Sequence, residues 1–141
     1  LGGRYPRSKA FERKWLAAGD PAFGNAQFII ETLAERRAIG WLGLHQAAPE
    51  NRVASLGIAI GERDYLEGGY GTDAMRTACR FGFEMMNLHR IELDVYDWNP
   101  RAMRVYEKVG FQYEGTIRDG IFKVGRWNDL VCMGLLRGEL R

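Results

Sequence analysis

The spacing of hydrophobic positions changes several times along the chain, and the changes mark its elements. Phe11, Trp15 and Ala18 recur at intervals of four and three, which predicts a helix over Ser8–Ala18 ended by Gly19-Asp20-Pro21. Three short runs rich in aromatic and branched residues follow, at Gln27–Leu33, Ala38–Gln46 and Val53–Ile60. Polar turns at Ala34–Arg37 and Pro49–Asn51 separate them, so an antiparallel meander is expected, with Gly40 and Gly43 interrupting its second strand.

The period then returns to that of a helix over Thr72–Leu88. Ala74, Ala78, Phe81, Met85 and Leu88 fall on one face, expected to be core, and Asp73, Arg76, Arg80 and Glu84 fall opposite. Arg90–Asp97 alternates as a strand: Ile91, Leu93 and Val95 against Glu92, Asp94 and Tyr96. A strand, a helix and a strand in succession form a crossover, so Val53–Ile60 and Arg90–Asp97 should run parallel. Asn99-Pro100 opens a second short helix, with Asn at the cap and Pro at its first position, and Gly110 stops it. Phe111–Ile117 and Asp129–Leu136 read as the strands of a long hairpin around Asp119-Gly120 and Gly125.

Composition changes this picture little. With 141 residues, 46% hydrophobic and 27% charged, the chain is expected to be one globular domain over 1–141. A net charge of +2 is too mild to argue for nucleic acid. No apolar run approaches transmembrane length, so no membrane partner is expected. Cys79 and Cys132 lack framework spacing and read as buried free thiols, which fits a cytoplasmic protein. His45 and His89 form no metal-ligand grouping, and no metal is expected.

The chemistry concentrates in two stretches. In the first, the strand ending at Ile60 leads through Leu66, Glu67, Gly68, Gly69, Tyr70 and Gly71 into the helix at Thr72. Glycines before a helix start let a ligand approach backbone N–H groups at the positive end of the helix dipole, which makes an anion site. A glycine-rich turn alone is often only a turn. The second stretch is more specific: Asn99, seven residues, Tyr106, then Lys108-Val109-Gly110-Phe111.

Together these stretches resemble the GNAT superfamily of N-acetyltransferases, in particular its ribosomal-protein N-terminal acetyltransferase branch (RimJ/RimL type). With the tail Asp129–Leu136, the resemblance covers most of the chain from Ala38 onward. It implies a mixed α/β (α+β) acyl-CoA N-acyltransferase fold. The central sheet would be mostly antiparallel, with one parallel crossover pair splayed at the cofactor site. Set against the family, a first strand and helix are expected ahead of Leu1.

The resemblance also implies acetyl-CoA as cosubstrate and an amine as acceptor, namely a protein N-terminus, polyamine, aminoglycoside or amino acid. Transfer would be direct, in a ternary complex. A homodimer would be the assembly. By the same resemblance, Tyr106 is the general acid at the leaving sulfur and Asn99 bonds the pantetheine arm, with Ala102 beside it. The backbone of Leu56, Ile58, Ala59 and Ile60 would pair with the pantetheine amides. The loop from Leu66 to Thr72 would take the phosphates. The chain departs from the family twice: Leu66 stands where Gln or Arg is usual, and Ser55 where many relatives carry Glu. Ser55 can orient a water, while Glu92 and Asp94 are alternative bases. Arg118 and Asp119 could frame the acceptor. The competing reading is a catalytically silent acyl-CoA sensor or scaffold.

Overall fold

A computed structural model describes residues 9, 10, 13, 25–61 and 63–141. The meander falls where the pattern puts it, as β1 (Ala26–Glu31), β2 (Ala38–Ala48) and β3 (Val53–Ile60), each antiparallel to the next. Helix α1 (Tyr70–Glu84) crosses to β4 (Arg90–Tyr96), and β3 and β4 pair in parallel, as the crossover requires. Helix α2 (Pro100–Val109) leads into β5 (Gln112–Lys123) and β6 (Arg126–Leu136). The six strands form one sheet in the order β1-β2-β3-β4-β6-β5. The helix expected over Ser8–Ala18 lies outside the described residues, apart from Lys9, Ala10 and Arg13, which are helical.

Three expectations need correction. Helix α1 starts two residues before Thr72 and ends at Glu84, so its core face is Met75, Ala78, Cys79, Gly82 and Phe83. Those positions follow the i, i+3, i+4, i+7, i+8 rule of a helix with one buried side. Phe81 and Met85 lie off that stripe, and Met85 is 73% exposed. Phe81 meets Phe28 of β1 edge to face instead, at 5.2 Å.

Asp119-Gly120 does not turn the hairpin. Between Ile117 and Ile121 strand β5 advances four residues while β6 advances two, from Leu130 to Asn128. The surplus bulges out, and the Asp129 carboxylate accepts from Asp119 N at 2.8 Å. The true turn is Val124-Gly125, both at positive φ (54° and 72°), the geometry of a tight two-residue hairpin. Finally, Cys79 is buried but Cys132 is only half-buried, because it points away from the helices with Asp94, its register partner.

The core gathers the inward residues of β2, β3, β4 and β6 against α1 and α2, including Leu42, Leu44, Ile91, Leu93, Met133 and Leu135. Gly110 ends α2 at φ 116°, and the next residue, Phe111, enters the core.

Candidate active site

Strands β3 and β4 pair only where Val53–Ser55 meets Arg90–Glu92. Beyond that point each follows its other neighbour: β3 stays on β2 out to Ile60, and β4 stays on β6 out to Tyr96. The sheet therefore splits, and the edge of Leu56–Ile60 that faces β4 carries backbone groups without a sheet partner. An extended ligand bearing amides can satisfy such an edge as an added strand does.

Two clefts meet in the split. One, of about 420 Å³, lies between Trp41, Leu56, Gly57 and Ala59 on the meander side and Asp94, Val95, Tyr96, Ile121 and Leu130 across the gap. The other, of about 310 Å³, runs from Ile60 past Leu66, Gly71 and Met75 to Arg101, Ala102 and Val105. Ile58, Asn99 and Tyr106 line both, so they mark the junction.

The second cleft reaches the start of α1. Gly68 and Gly69 adopt positive φ (103° and 87°), a conformation that residues with a Cβ adopt only under strain. Gly69 is the N-cap and, having no side chain, makes no capping bond. The first helical bond is Asp73 N to Gly69 O at 2.9 Å, so the N–H groups of Tyr70, Gly71 and Thr72 have no carbonyl within the helix. These donors sit at the positive end of the dipole and suit an anion.

At the junction, Asn99 Oδ1 accepts from Ala102 N at 3.2 Å and caps α2. The Asn99 amide N–H groups remain for a ligand. The Tyr106 ring packs 6.2 Å from that of Phe111, and its hydroxyl makes no hydrogen bond within the described chain. Burial pushes the Tyr106 phenol above its ordinary value of 10.0, so it holds its proton at neutral pH.

Of the residues the sequence suggested for the cofactor, Leu56, Ile58, Ala59, Ile60, Leu66, Gly71, Asn99, Ala102 and Tyr106 line the clefts. Glu67, Gly68, Gly69, Tyr70 and Thr72 form the adjoining loop and first turn. Ser55 lines neither cleft. It stands in the last row before the split, paired with His45 of β2 and Glu92 of β4. Burial holds the His45 imidazole below its ordinary value, beside Trp41 at 6.4 Å between ring centroids.

The reading of the sequence missed Trp41, Tyr96, Arg101, Ile121 and Leu130. For Tyr96, the outward alternation along β4 was the available signal. Trp41, Ile121 and Leu130 arrive from remote strands and carry no local signal.

Neither thiol is poised as a nucleophile. Burial pushes Cys79 up to about 12, and burial together with Asp94 raises Cys132. Among the described residues no group of three or more His, Cys, Asp or Glu is placed to hold a metal ion. Among them, too, no helix is long and apolar enough to cross a membrane.

Residues 3–112 match the family described as "Acetyltransferase (GNAT) domain". The spermidine N(1)-acetyltransferase of Vibrio cholerae is 30% identical over 113 residues, covering 80% of this chain and 64% of that protein. The putative ribosomal N-acetyltransferase YdaF of Bacillus subtilis is 33% identical over 100 residues, covering 71% and 54%. The prophage-derived N-acetyltransferase YokL of the same organism is 26% identical over 136 residues, covering 96% and 75%. The crystal structure of the Vibrio cholerae spermidine N-acetyltransferase in complex with CoA and spermine superposes with a TM-score of 0.85. The identity there is 25%, over 95% of this chain and 78% of that one. This chain belongs to the GNAT family of acetyl-CoA-dependent acetyltransferases.

Proposed function

We propose that this protein transfers the acetyl group of acetyl-CoA to a primary amine by direct attack, with Tyr106 protonating the leaving sulfur. The observation that carries this reading is the junction. Ile58, Asn99 and Tyr106 sit where the phosphate-side cleft meets the cleft opening at Asp94 and Trp41. A thioester held along the free edge of β3 would bring its carbonyl into that junction.

The neutral amine enters from the Trp41–Tyr96 side, and its nitrogen attacks the carbonyl carbon. The C–S bond breaks as the amide forms. Sulfur takes the Tyr106 proton, and the proton released by the attacking nitrogen passes through water to the Tyr106 oxygen, which restores the phenol. A backbone N–H of the free β3 edge supplies the donor that the oxyanion needs. Asp94 and the aromatic wall favour an acceptor that carries a second, cationic group beside the neutral amine that attacks. One relative's name gives spermidine as acceptor and another's describes a putative ribosomal N-acetyltransferase, so spermidine and a peptide with a free N-terminus are the two acceptors we propose to test.

Calorimetric titration with acetyl-CoA, followed by CoA release over a panel of amines including these two, tests the reading. Binding with release on at least one amine is expected. Binding without release on any of them would favour the silent sensor, and no binding at all would remove the cofactor assignment.

A further inference from the structure

Arg101 is the second residue of α2, and its side chain lines the cleft that reaches the start of α1. Its Nη2 has almost no solvent exposure and no hydrogen-bond partner. Among the described residues it is the buried side-chain nitrogen or oxygen left in that state. Buried guanidinium nitrogens are normally bonded, because withdrawing a charged donor from water without a replacement acceptor is costly. No protein acceptor in the cleft bonds it. The cleft's other lining residues are apolar or neutral, and no carboxylate is among them.

Across the cleft stand Leu66 and Gly71, next to the free N–H groups of the first turn of α1. The loop contributes Glu67 but no cation between Leu66 and Thr72. An anion seated there would meet backbone donors on one wall and a guanidinium on the other.

We propose that Arg101 binds the diphosphate of the cosubstrate, supplying from α2 the side-chain charge that the loop at Leu66 lacks. This rests on the acetyl-CoA reading above. The diphosphate is the group concerned because the pantetheine arm, leaving the Tyr106 junction past Asn99, would bring it between Arg101 and Gly71. A guanidinium fork matches two phosphate oxygens at once, so binding would satisfy a donor that the free protein leaves unbonded.

The test uses the full chain, with acetyl-CoA, 3′-dephospho-acetyl-CoA and S-acetylpantetheine as calorimetric probes. Arg101→Met keeps the apolar stem and removes the charge. It should weaken acetyl-CoA by roughly tenfold to a hundredfold, the range for a lost charge-assisted bond. The same factor should appear with the 3′-dephospho form and vanish with acetylpantetheine, which has no diphosphate. Arg101→Lys should fall between, since it keeps charge without the fork. The melting temperature of ligand-free Arg101→Met should hold or rise, whereas a residue serving only to support the fold would lower it.

Equal affinity of wild type and Arg101→Met for acetyl-CoA would overturn the assignment. So would a loss confined to ligands bearing the 3′-phosphate, which would move Arg101 to that group. Failure of the wild type to bind acetyl-CoA would instead overturn the cofactor reading, and this inference with it.

Discussion

Replacing Tyr106 with Phe removes one oxygen from the junction and little else. The ring keeps its place, because its packing against Phe111 at 6.2 Å does not involve the hydroxyl. That hydroxyl has no partner within the described chain, so its loss leaves no protein group unbonded. The stability change should therefore stay within about 0.5 kcal/mol, the usual range for substitutions that break no specific feature. Acetyl-CoA affinity should change by less than about threefold, because a thioester sulfur is a weak acceptor in the ground state. The rate is a different matter. A positioned general acid is worth about 10²–10⁴ in rate, which corresponds to roughly 2.7–5.4 kcal/mol of transition-state stabilisation. The assay is CoA release with both substrates saturating, with single-turnover runs to separate chemistry from product release. Burial raises the Tyr106 phenol, so the donating form persists past its ordinary value of 10.0. Any alkaline limb in the wild-type profile that belongs to Tyr106 should lie above that value and be absent from the Phe variant. An unchanged turnover number would refute the acid assignment. A loss residing wholly in acetyl-CoA affinity or in melting temperature would refute it as well, and would mark Tyr106 as packing.

Other perturbations probe the surroundings. At Gly71 an added Cβ would meet Ile60 Cδ1 at 3.6 Å and Val105 Cγ1 at 4.0 Å, ordinary contacts, so Gly71→Leu should fold and fill the cleft. Its acetyl-CoA affinity should drop at least about tenfold, while helix propensity gains up to roughly 1 kcal/mol; retained binding would place the cofactor elsewhere. At Gly110 an added Cβ would lie 2.1 Å from the Glu139 carbonyl oxygen, at φ 116°. Gly110→Ala should destabilise by about 3 kcal/mol in a urea melt, and a loss below about 1 kcal/mol would mean the C-terminal turn yields freely. Burial depresses His45 below 6.5, so the native state resists protonation there. That contribution to stability is full above the unfolded value and declines as pH falls through it. Urea midpoints at about pH 5 and about pH 8 should differ more for wild type than for His45→Gln, and equal differences would sink the point. Glu114 is depressed by its bond to Arg90, so its contribution also fades on acidification. Because the pair is in partial contact with solvent, Glu114→Gln should cost less than about 1 kcal/mol at neutral pH by the same melts.

Much of the fold could be read locally because each element ends on chemistry that needs no partner. Asn99-Pro100 caps and starts α2 with its own side chain and ring, and Gly110 stops it by its φ alone. The errors came where distant residues decide. Asp119-Gly120 has turn chemistry, yet the Asp129 carboxylate on the opposite strand holds it as a bulge, and Val124-Gly125 turns the chain instead. Phe81 looks like core until the helix start at Tyr70 shows which stripe faces the sheet. Tyr106 was legible through the spacing of its motif. Arg101 was not, since a charge in the first turn of a helix reads as solvated surface.

The site itself follows from a competition between strand neighbours. Strand β4 is held by β6 along its whole length, and β3 is held by β2 to its end, so the short parallel stretch at Val53–Ser55 cannot keep the two together. Nothing in the residues Leu56–Ile60 announces that break, for they read as an ordinary strand. The break leaves unbonded backbone in the middle of a sheet, where water or a ligand must satisfy it. The helices that follow β3 and β4 both begin beside it, α1 with the free N–H groups of Tyr70, Gly71 and Thr72 and α2 with Asn99 and Arg101. A fold that splits its sheet at that point sets a helix N-terminus and an unpaired strand edge side by side. In the function proposed above, Tyr106 is the additional group that turns such a cleft into a place for acyl transfer.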